Sequence, residues 1–240
     1  YASYYYSEEK MKKMKSQLGR TLLVFPSHTC ENETLSNNDK SFINIVYNKY
    51  ASDYDTIMVC AYWNDIDDPI MKLFEEKGAK IVSAGFRGDS NFIRRLKSLL
   101  YIADDVVVND IGTNIGFAKY MNCNIYLEGE LLMKEDKYYV KNYDLFKKAF
   151  FTENKTFSKE QEKLQNTLYR AFWGGEEKIL TSEEMRAMLE AIQQMCKKSG
   201  YRIKKMPEAM KQIIKKCEQS NSVQNMNKAR ILASAIKNDN

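Results

Sequence analysis

The sequence has few of the histidine and paired cysteine residues that form most metal and redox sites. It contains one histidine, His28, and no two cysteines stand in a Cys-x-x-Cys spacing. The five cysteines are scattered along the chain, at Cys30, Cys60, Cys123, Cys196 and Cys217. A zinc site of Cys and His ligands is therefore not expected. The scattered thiols favour a reduced, cytoplasmic protein over a disulfide framework.

Long apolar runs and the common phosphate-binding motifs are missing as well. No stretch of about 18 apolar residues predicts a transmembrane span, and no basic start followed by an apolar core predicts a signal peptide. Neither a G-x-G-x-x-G fingerprint nor a Walker loop occurs in the chain. Motifs for nucleic-acid binding are absent too, so we expect no DNA or RNA partner.

The sequence does have a regular alternation of apolar runs and helical patterns. The apolar runs are "RTLLVFP", "DTIMVCAYW", "AKIVSAG", "DDVVVND" and "CNIYLEG", and helical spacing separates each run from the next. Continuous apolar strands joined by helices are typical of a parallel sheet covered on both faces. We therefore predict a doubly wound, Rossmann-like α/β domain with strand order 3-2-1-4-5 and a helical extension after it.

Pattern and charge divide the chain into three predicted parts. Residues 1–18 form a linker and an N-terminal helix, residues 19–150 the Rossmann-like domain, and residues 151–240 the helical extension. From Cys196 onward eleven Lys or Arg stand against three acidic residues, a balance of +8, so the preceding residues sum to −3. A basic helical tail is commonly a solvated surface. The alternative is contact with acidic partners or with an anionic membrane surface, which would place the protein at the inner face of the membrane.

Ligands of open parallel sheets bind beyond the carboxyl ends of the strands, near the point where the strand order reverses. Five loops are predicted at this edge of the sheet. They carry Ser27-His28-Thr29, Tyr62-Trp63-Asn64, Ala84-Gly85-Phe86, Asn109-Asp110 with Gly112-Thr113, and Glu128-Gly129.

The loop after the fourth strand is the best candidate for a phosphate site. It leads into a helix whose first N–H groups lack intrahelical partners, and both these donors and the helix dipole favour negative charge. Gly112 lets a ligand approach the backbone, and Thr113 offers a hydroxyl. A helix cap and close packing explain Gly112 and Gly116 equally well, so this pattern alone leaves both interpretations open.

Several segments together resemble a known family. The segments "TLLVFPSHT", "DTIMVCAYWNDI", residues 80–127 and "FWGGEEKILTSEEM" are similar to the C-terminal, donor-binding half of bacterial GT-B glycosyltransferases that make surface or capsular polysaccharides. The resemblance covers residues 18–185. It departs from many relatives at Cys123-Asn124, where they have Lys-Pro. It implies that a nucleotide sugar is bound as donor substrate and that neither a cofactor nor a metal is required.

The resemblance implies a role for each matching loop. The loop at Gly112 and Thr113 would face the donor's phosphates, and the loops after the second and third strands would frame its base or ribose. Glu128 would hold a donor hydroxyl, and His28 would contact a phosphate or act as the catalytic base. The predicted site consists of Ser27, His28, Thr29, Tyr62, Trp63, Gly85, Phe86, Arg87, Asn109, Asp110, Gly112, Thr113, Gly116 and Glu128.

Other charged residues are not assigned to the site. Arg94 and Arg95 are expected to be solvated on a helix, in contrast to Arg87, which is a candidate for an anionic donor group. Asp104 and Asp105 precede a strand at the opposite end of the sheet, so we interpret them as a turn and a cap.

Two functions remain open at this point. In GT-B enzymes the other half supplies most contacts to the acceptor and usually the base, so the resemblance implies a partner domain or subunit and a glycan or lipid-linked acceptor. The alternative is a non-catalytic nucleotide-sugar-binding or scaffold module. A nucleotide-sugar epimerase or dehydrogenase is disfavoured, because the first strand leads into "PSHTCENE" and not into a glycine-rich turn.

Overall fold

The computed structural model describes residues 8–27, 38–89, 91–129 and 137–175, and six helical residues between 183 and 191. The chain divides into two compact units, Tyr1–Lys178 and Ile179–Asn240. The sheet and the candidate site belong to the first unit. His28, Thr29 and the basic tail after residue 195 lie outside the described residues.

The first unit is built on one parallel sheet of five strands. The strands are β1 (Thr21–Phe25), β2 (Thr56–Cys60), β3 (Lys80–Val82), β4 (Asp105–Val108) and β5 (Asn124–Leu127). Their order is β3-β2-β1-β4-β5, and every neighbouring pair is parallel. The predicted strand order is confirmed.

Seven α-helices surround this sheet within the described residues. They are α1 (Glu8–Leu18), α2 (Asn38–Ile45), α3 (Pro69–Glu76), α4 (Phe92–Ile102), α5 (Thr113–Tyr120), α6 (Lys137–Phe150) and α7 (Lys159–Trp173). A π-helical turn, Val46–Tyr50, and a short 3-10 turn, Ala51–Asp53, follow α2. None of the helices in this part of the chain is both long and apolar enough to cross a membrane.

The sheet separates two apolar cores, because successive side chains of a strand point to opposite faces. Leu22 and Val24 of β1 pack with residues of α2 and α3 on one face. Leu23 and Phe25 pack with residues of α4, α5, α6 and α7 on the other face. Helices therefore cover both faces, as predicted for a doubly wound Rossmann-like fold.

Local sequence explains where several helices begin. Asp68 caps α3 by accepting the N–H of Ile70 at 2.8 Å, and Pro69 occupies the first helical position, as its fixed φ angle allows. The helix α4 begins at Phe92. Its cap residue is Asn91, and the side chain of Asp89 accepts the N–H of Asn91 instead of capping the helix.

The last described helix packs onto the same unit as the sheet. Ser158 and Gln161 form a capping box that begins α7, and Gly174, in the left-handed conformation, ends it. Leu168 is buried in the core, whereas Phe172, one turn later on the helix, is 42% exposed. The first compact unit thus includes α1 and α7, and the domain boundaries drawn from composition stay a prediction.

Candidate functional site

A cleft opens at the carboxyl edge of the sheet, where the strand order reverses between β1 and β4. The loops after β1, β2, β3 and β4 form its walls together with the first turns of α4 and α5. Its volume is about 190 Å³. The lining residues are Phe25, Pro26, Ser27, Cys60, Ala61, Tyr62, Ala84, Gly85, Phe92, Leu96, Asp110, Ile111, Gly112, Thr113 and Asn114.

The start of α5 faces this cleft. Gly112 is the cap residue, and Thr113 and Asn114 begin the helix and line the cleft. The N–H groups of a first helical turn lack intrahelical acceptors, so this wall presents hydrogen-bond donors and the positive end of a helix dipole. Asp110 adds a carboxylate to the same wall, and its Oδ1 accepts the N–H of Ile111 at 2.6 Å.

The absence of a side chain at Gly112 leaves room in the cleft, whereas its backbone conformation does not require glycine. Its φ of −144° is extended and open to any residue. A Cβ atom at this position would lie 2.7 Å from the Oδ1 of Asn114, which is the end of a side chain that can move. A side chain at residue 112 would therefore fill part of the cleft without straining the backbone.

Asn109 joins the ends of the two central strands behind the cleft wall. It is only 3% exposed, and its Nδ2 donates to the Oγ of Ser27 at 3.1 Å. Among the described residues nothing donates to its buried Oδ1. A buried polar atom without a partner is uncommon in folded proteins, and it marks the junction of β1 and β4 as a place where a hydrogen bond is missing.

An aromatic cluster of Tyr62, Trp63 and Phe86 adjoins the other end of the cleft. The rings of Tyr62 and Trp63 meet edge to face at 6.0 Å, and those of Trp63 and Phe86 at 5.3 Å. Tyr62 lines the cleft directly, whereas Trp63 and Phe86 stand behind it. The cleft thus has a wall rich in donors at α5 and a largely apolar wall at α4 and the loops after β2 and β3.

The structure buries a different arginine from the one assigned to the site. Arg95, predicted to be solvated, is 5% exposed, so that prediction is wrong. Its Nε donates to the carbonyl of Ala84 at 2.7 Å, and its Nη2 pairs with Asp89. Arg87 is exposed and does not line the cleft.

Glu128 directly follows β5 and is buried. Its Oε1 accepts from the Nζ of Lys49 at 2.6 Å and from the hydroxyl of Tyr50 at 2.5 Å. Burial raises the pKa of Tyr50, and the hydrogen bond to Glu128 raises it further, so the phenol stays a donor. This carboxylate is therefore part of a closed network and does not line the cleft.

Gly116 serves packing between helices. It is buried, and a Cβ atom there would come within 2.5 Å of the indole ring of Trp173. The glycine thus allows α7 to approach α5 closely, and the structure does not bring Gly116 to the cleft.

The structure brings six of the predicted residues together in the cleft. These are Ser27, Tyr62, Gly85, Asp110, Gly112 and Thr113, with Asn109, Trp63 and Phe86 directly behind. Sequence reasoning missed Cys60, Phe92, Leu96 and Asn114. The signal for Phe92 and Leu96 was their spacing of four on α4, which places them on one helix face.

Cys60 supplies a thiol to the cleft wall. Burial raises the pKa of its thiol to about 12. A thiol with so high a pKa is protonated at neutral pH and is a poor nucleophile. Cys60 therefore acts as a small apolar residue of the wall.

No family model and no curated protein sequence matches this chain. The resemblance to GT-B glycosyltransferases therefore stays a prediction. In the described part of the chain, no group of three or more His, Cys, Asp or Glu residues is arranged to hold a metal ion. A function has to be argued from the chemistry of the cleft.

Proposed function

We propose that this chain is the donor-binding part of a GT-B type glycosyltransferase of polysaccharide synthesis, and that the cleft binds a nucleotide sugar. The observation that carries the proposal is the start of α5, which faces the cleft at the reversal of strand order. This is the position at which open α/β sheets bind nucleotides, with phosphates at a helix N-terminus.

The diphosphate occupies the α5 side of the cleft in this proposal. The backbone N–H groups of Thr113 and Asn114 and the Thr113 hydroxyl supply donors there. The negative charge of Asp110 repels an anion. The N–H of Ile111 donates to one of its oxygens and offsets part of this repulsion. A hydroxyl or N–H of the ligand that reaches the junction of β1 and β4 would satisfy the Oδ1 of Asn109.

The nucleoside occupies the other side of the cleft. Tyr62 and the bare backbone of Gly85 line this side, and Trp63 and Phe86 support it from behind. A volume of about 190 Å³ is below the roughly 300–1,000 Å³ of pockets that enclose whole ligands. The cleft therefore holds the diphosphate and part of the nucleoside, and the transferred sugar projects towards a partner domain that brings the acceptor.

A non-catalytic nucleotide-sugar-binding or scaffold module is the second candidate. The observation that favours it is Glu128, whose oxygen is engaged by Lys49 and Tyr50 and is turned away from the cleft. Glu128 does not line the cleft, so it is not in place for the contact to a donor hydroxyl that the resemblance implied.

Calorimetric titration with UDP, GDP, CMP and pyrophosphate tests the proposal. We expect binding of one nucleotide and of pyrophosphate, and a loss of affinity of at least about tenfold, or 1.4 kcal/mol, in Gly112→Leu. The melting temperature of this variant should stay close to that of the wild type, because residue 112 has an extended backbone.

Ser52→Leu is the matched control, since it adds the same side chain at an exposed position next to the amino end of β2. It should bind as the wild type does. Failure of all four ligands to bind at millimolar concentration would overturn the proposal and favour a scaffold. Unchanged binding by Gly112→Leu would remove α5 from the site.

A further inference from the structure

We propose that Arg95 is a positioning residue that sets the shape of the nucleoside side of the cleft without touching the ligand. The inference rests on the proposed nucleotide binding and assigns a task to a residue outside the predicted site. It concerns residues 83–89, the segment after β3, of which Ala84 and Gly85 line the cleft.

The burial of Arg95 requires an explanation. Guanidinium groups stay charged in proteins, and removing one from water is costly unless hydrogen bonds and an opposite charge compensate it. Arg95 is 5% exposed on a helix that has exposed arginine next to it at residue 94. Its position, three residues after Phe92 and four before Leu99, places it on the stripe of α4 that faces the sheet.

The guanidinium is fixed inside the loop by two anchors. Its Nε donates to the carbonyl of Ala84 at 2.7 Å, two residues after the end of β3. Its Nη2 pairs with the carboxylate of Asp89 near the end of the loop. Burial of Asp89 acts to raise its pKa, but the hydrogen bonds from Arg95 and from the N–H of Asn91 outweigh this effect and lower it. The pair is therefore ionised at neutral pH.

The guanidinium also contacts the loop at Gly85, where glycine leaves bare backbone in the wall. Gly85 has a φ of +84°, and a Cβ atom there would lie 3.0 Å from the Nη2 of Arg95. Both facts exclude a larger side chain at this position. Gly85 lines the cleft, so the guanidinium packs directly against the backbone that forms this part of the wall.

The loop held by Arg95 also places the aromatic cluster. The carbonyl of Phe86 accepts the N–H of Asp89 at 3.0 Å, so the Arg95–Asp89 pair fixes the turn that carries Phe86. Phe86 in turn meets the ring of Trp63 edge to face. Phe92 and Leu96, which flank Arg95 on α4, line the cleft directly. One buried cation thus holds the loop after β3 and, through it, the position of Phe86.

The start of α5 does not depend on Arg95. None of the described hydrogen bonds of Arg95 involves residues 109–116. Loss of the guanidinium should therefore weaken binding of a nucleoside while it spares binding of a diphosphate alone. A purely structural role would weaken both or neither.

The test compares Arg95→Met, Arg95→Lys and Arg94→Met by calorimetric titration with UDP, GDP, CMP and pyrophosphate, beside thermal unfolding. Methionine keeps the stem of Arg95 and removes every donor, and Arg94→Met is the same change at the exposed neighbour. In Arg95→Met we expect at least about tenfold weaker nucleotide binding, a smaller difference among the three nucleotides, and pyrophosphate binding within about twofold of the wild type. Arg95→Lys should lie in between, because an ammonium group cannot bridge both acceptors as the guanidinium fork does.

Each other outcome decides against a specific claim. Wild-type nucleotide affinity in folded Arg95→Met overturns the positioning role, and so does an equal loss for nucleotide and pyrophosphate. If Arg95→Met does not fold, Asp89→Asn replaces it, since that variant retains an oxygen for the N–H of Asn91 while removing the charge pair. If the wild-type protein binds pyrophosphate but no nucleotide, only the claim that the apolar wall binds a nucleoside is contradicted. A wild-type protein that binds neither refutes the proposed function itself.

Discussion

The amino and carboxyl edges of the sheet differ in how completely their buried polar groups are hydrogen-bonded. Asp105 and Asn109, four residues apart at the two ends of β4, show the difference. At the amino edge Asp105 is buried, and its carboxylate accepts from Arg20, from Tyr54 at 2.6 Å and from Asn124 at 2.6 Å. At the carboxyl edge Asn109 is equally buried, but one of its two polar atoms lacks a partner among the described residues.

Under the proposed function, this difference separates polar groups that stabilise the fold from polar groups beside the ligand site. Asp104 at the amino edge also has protein partners, since it accepts the N–H of Thr21 at 2.8 Å and pairs with Lys15. The sequence interpretation of Asp105 as part of a turn or cap was wrong, because Asp105 is the first residue of β4. The interpretation that this pair is not catalytic agrees with a network in which each carboxylate has protein partners.

The largest expected effect comes from replacing Asp105 and Asn109, one at a time, by leucine. Asp105→Leu leaves Tyr54 and Asn124 without an acceptor, so we expect the free energy of unfolding to fall by about 3–5 kcal/mol. Asn109→Leu removes an unsatisfied atom along with one hydrogen bond, so we expect a change of about 1 kcal/mol or less. Urea unfolding of the two variants measures the difference, and equal losses would contradict it.

Glu128 sharpens the comparison, because it lies at the carboxyl edge but belongs to a closed network. We expect Glu128→Gln to lower the free energy of unfolding by about 1–3 kcal/mol, since Lys49 loses a charged partner. Nucleotide affinity should change by less than about twofold, which corresponds to a few tenths of a kcal/mol. The control is Glu153→Gln, an exposed position in the segment that follows α6. A tenfold loss of affinity in Glu128→Gln alone would return Glu128 to the binding site.

The smallest expected effect is the alkaline pH dependence contributed by the amino edge. Burial, and then the hydrogen bond to Asp105, raise the pKa of Tyr54. Tyrosines of the unfolded chain ionise near pH 10, so this stabilisation is complete below about pH 10 and is lost as the pH rises above it.

Urea midpoints measured between pH 8 and 11 should therefore fall at the alkaline end for the wild type. Tyr54→Phe should show a shallower fall, because phenylalanine has no proton to lose in either state. The same pH dependence in both proteins would show that Tyr54 contributes nothing to the alkaline loss of stability.

The sequence allowed the sheet to be predicted because its signals are local. Apolar runs identified all five strands, and Asp68 with Pro69 marked the start of α3. The position of the cleft followed from topology, since the carboxyl ends of β1 and β4 meet where the order reverses.

The residues that were misjudged depend on partners outside their own helix or strand. Arg95 stands on the buried stripe of α4, but what compensates its charge is the carbonyl of Ala84 and the carboxylate of Asp89. Glu128 was placed correctly at the end of β5, yet its partners come from a π-helical turn, which departs from the helical period. That turn presents Lys49 and Tyr50 together to one carboxylate, and no spacing rule for α-helices anticipates it.

The contact between Gly116 and Trp173 has a consequence for synthesis of the chain. The ribosome completes all five strands and α5 by residue 127, but the ring that covers Gly116 belongs to a helix made later, at residues 159–173. Until α7 emerges, the nascent chain exposes apolar surface on α5 and around Phe146. Such surface is prone to aggregate. A chain that stops at residue 150 would keep this surface permanently, although its sheet is complete.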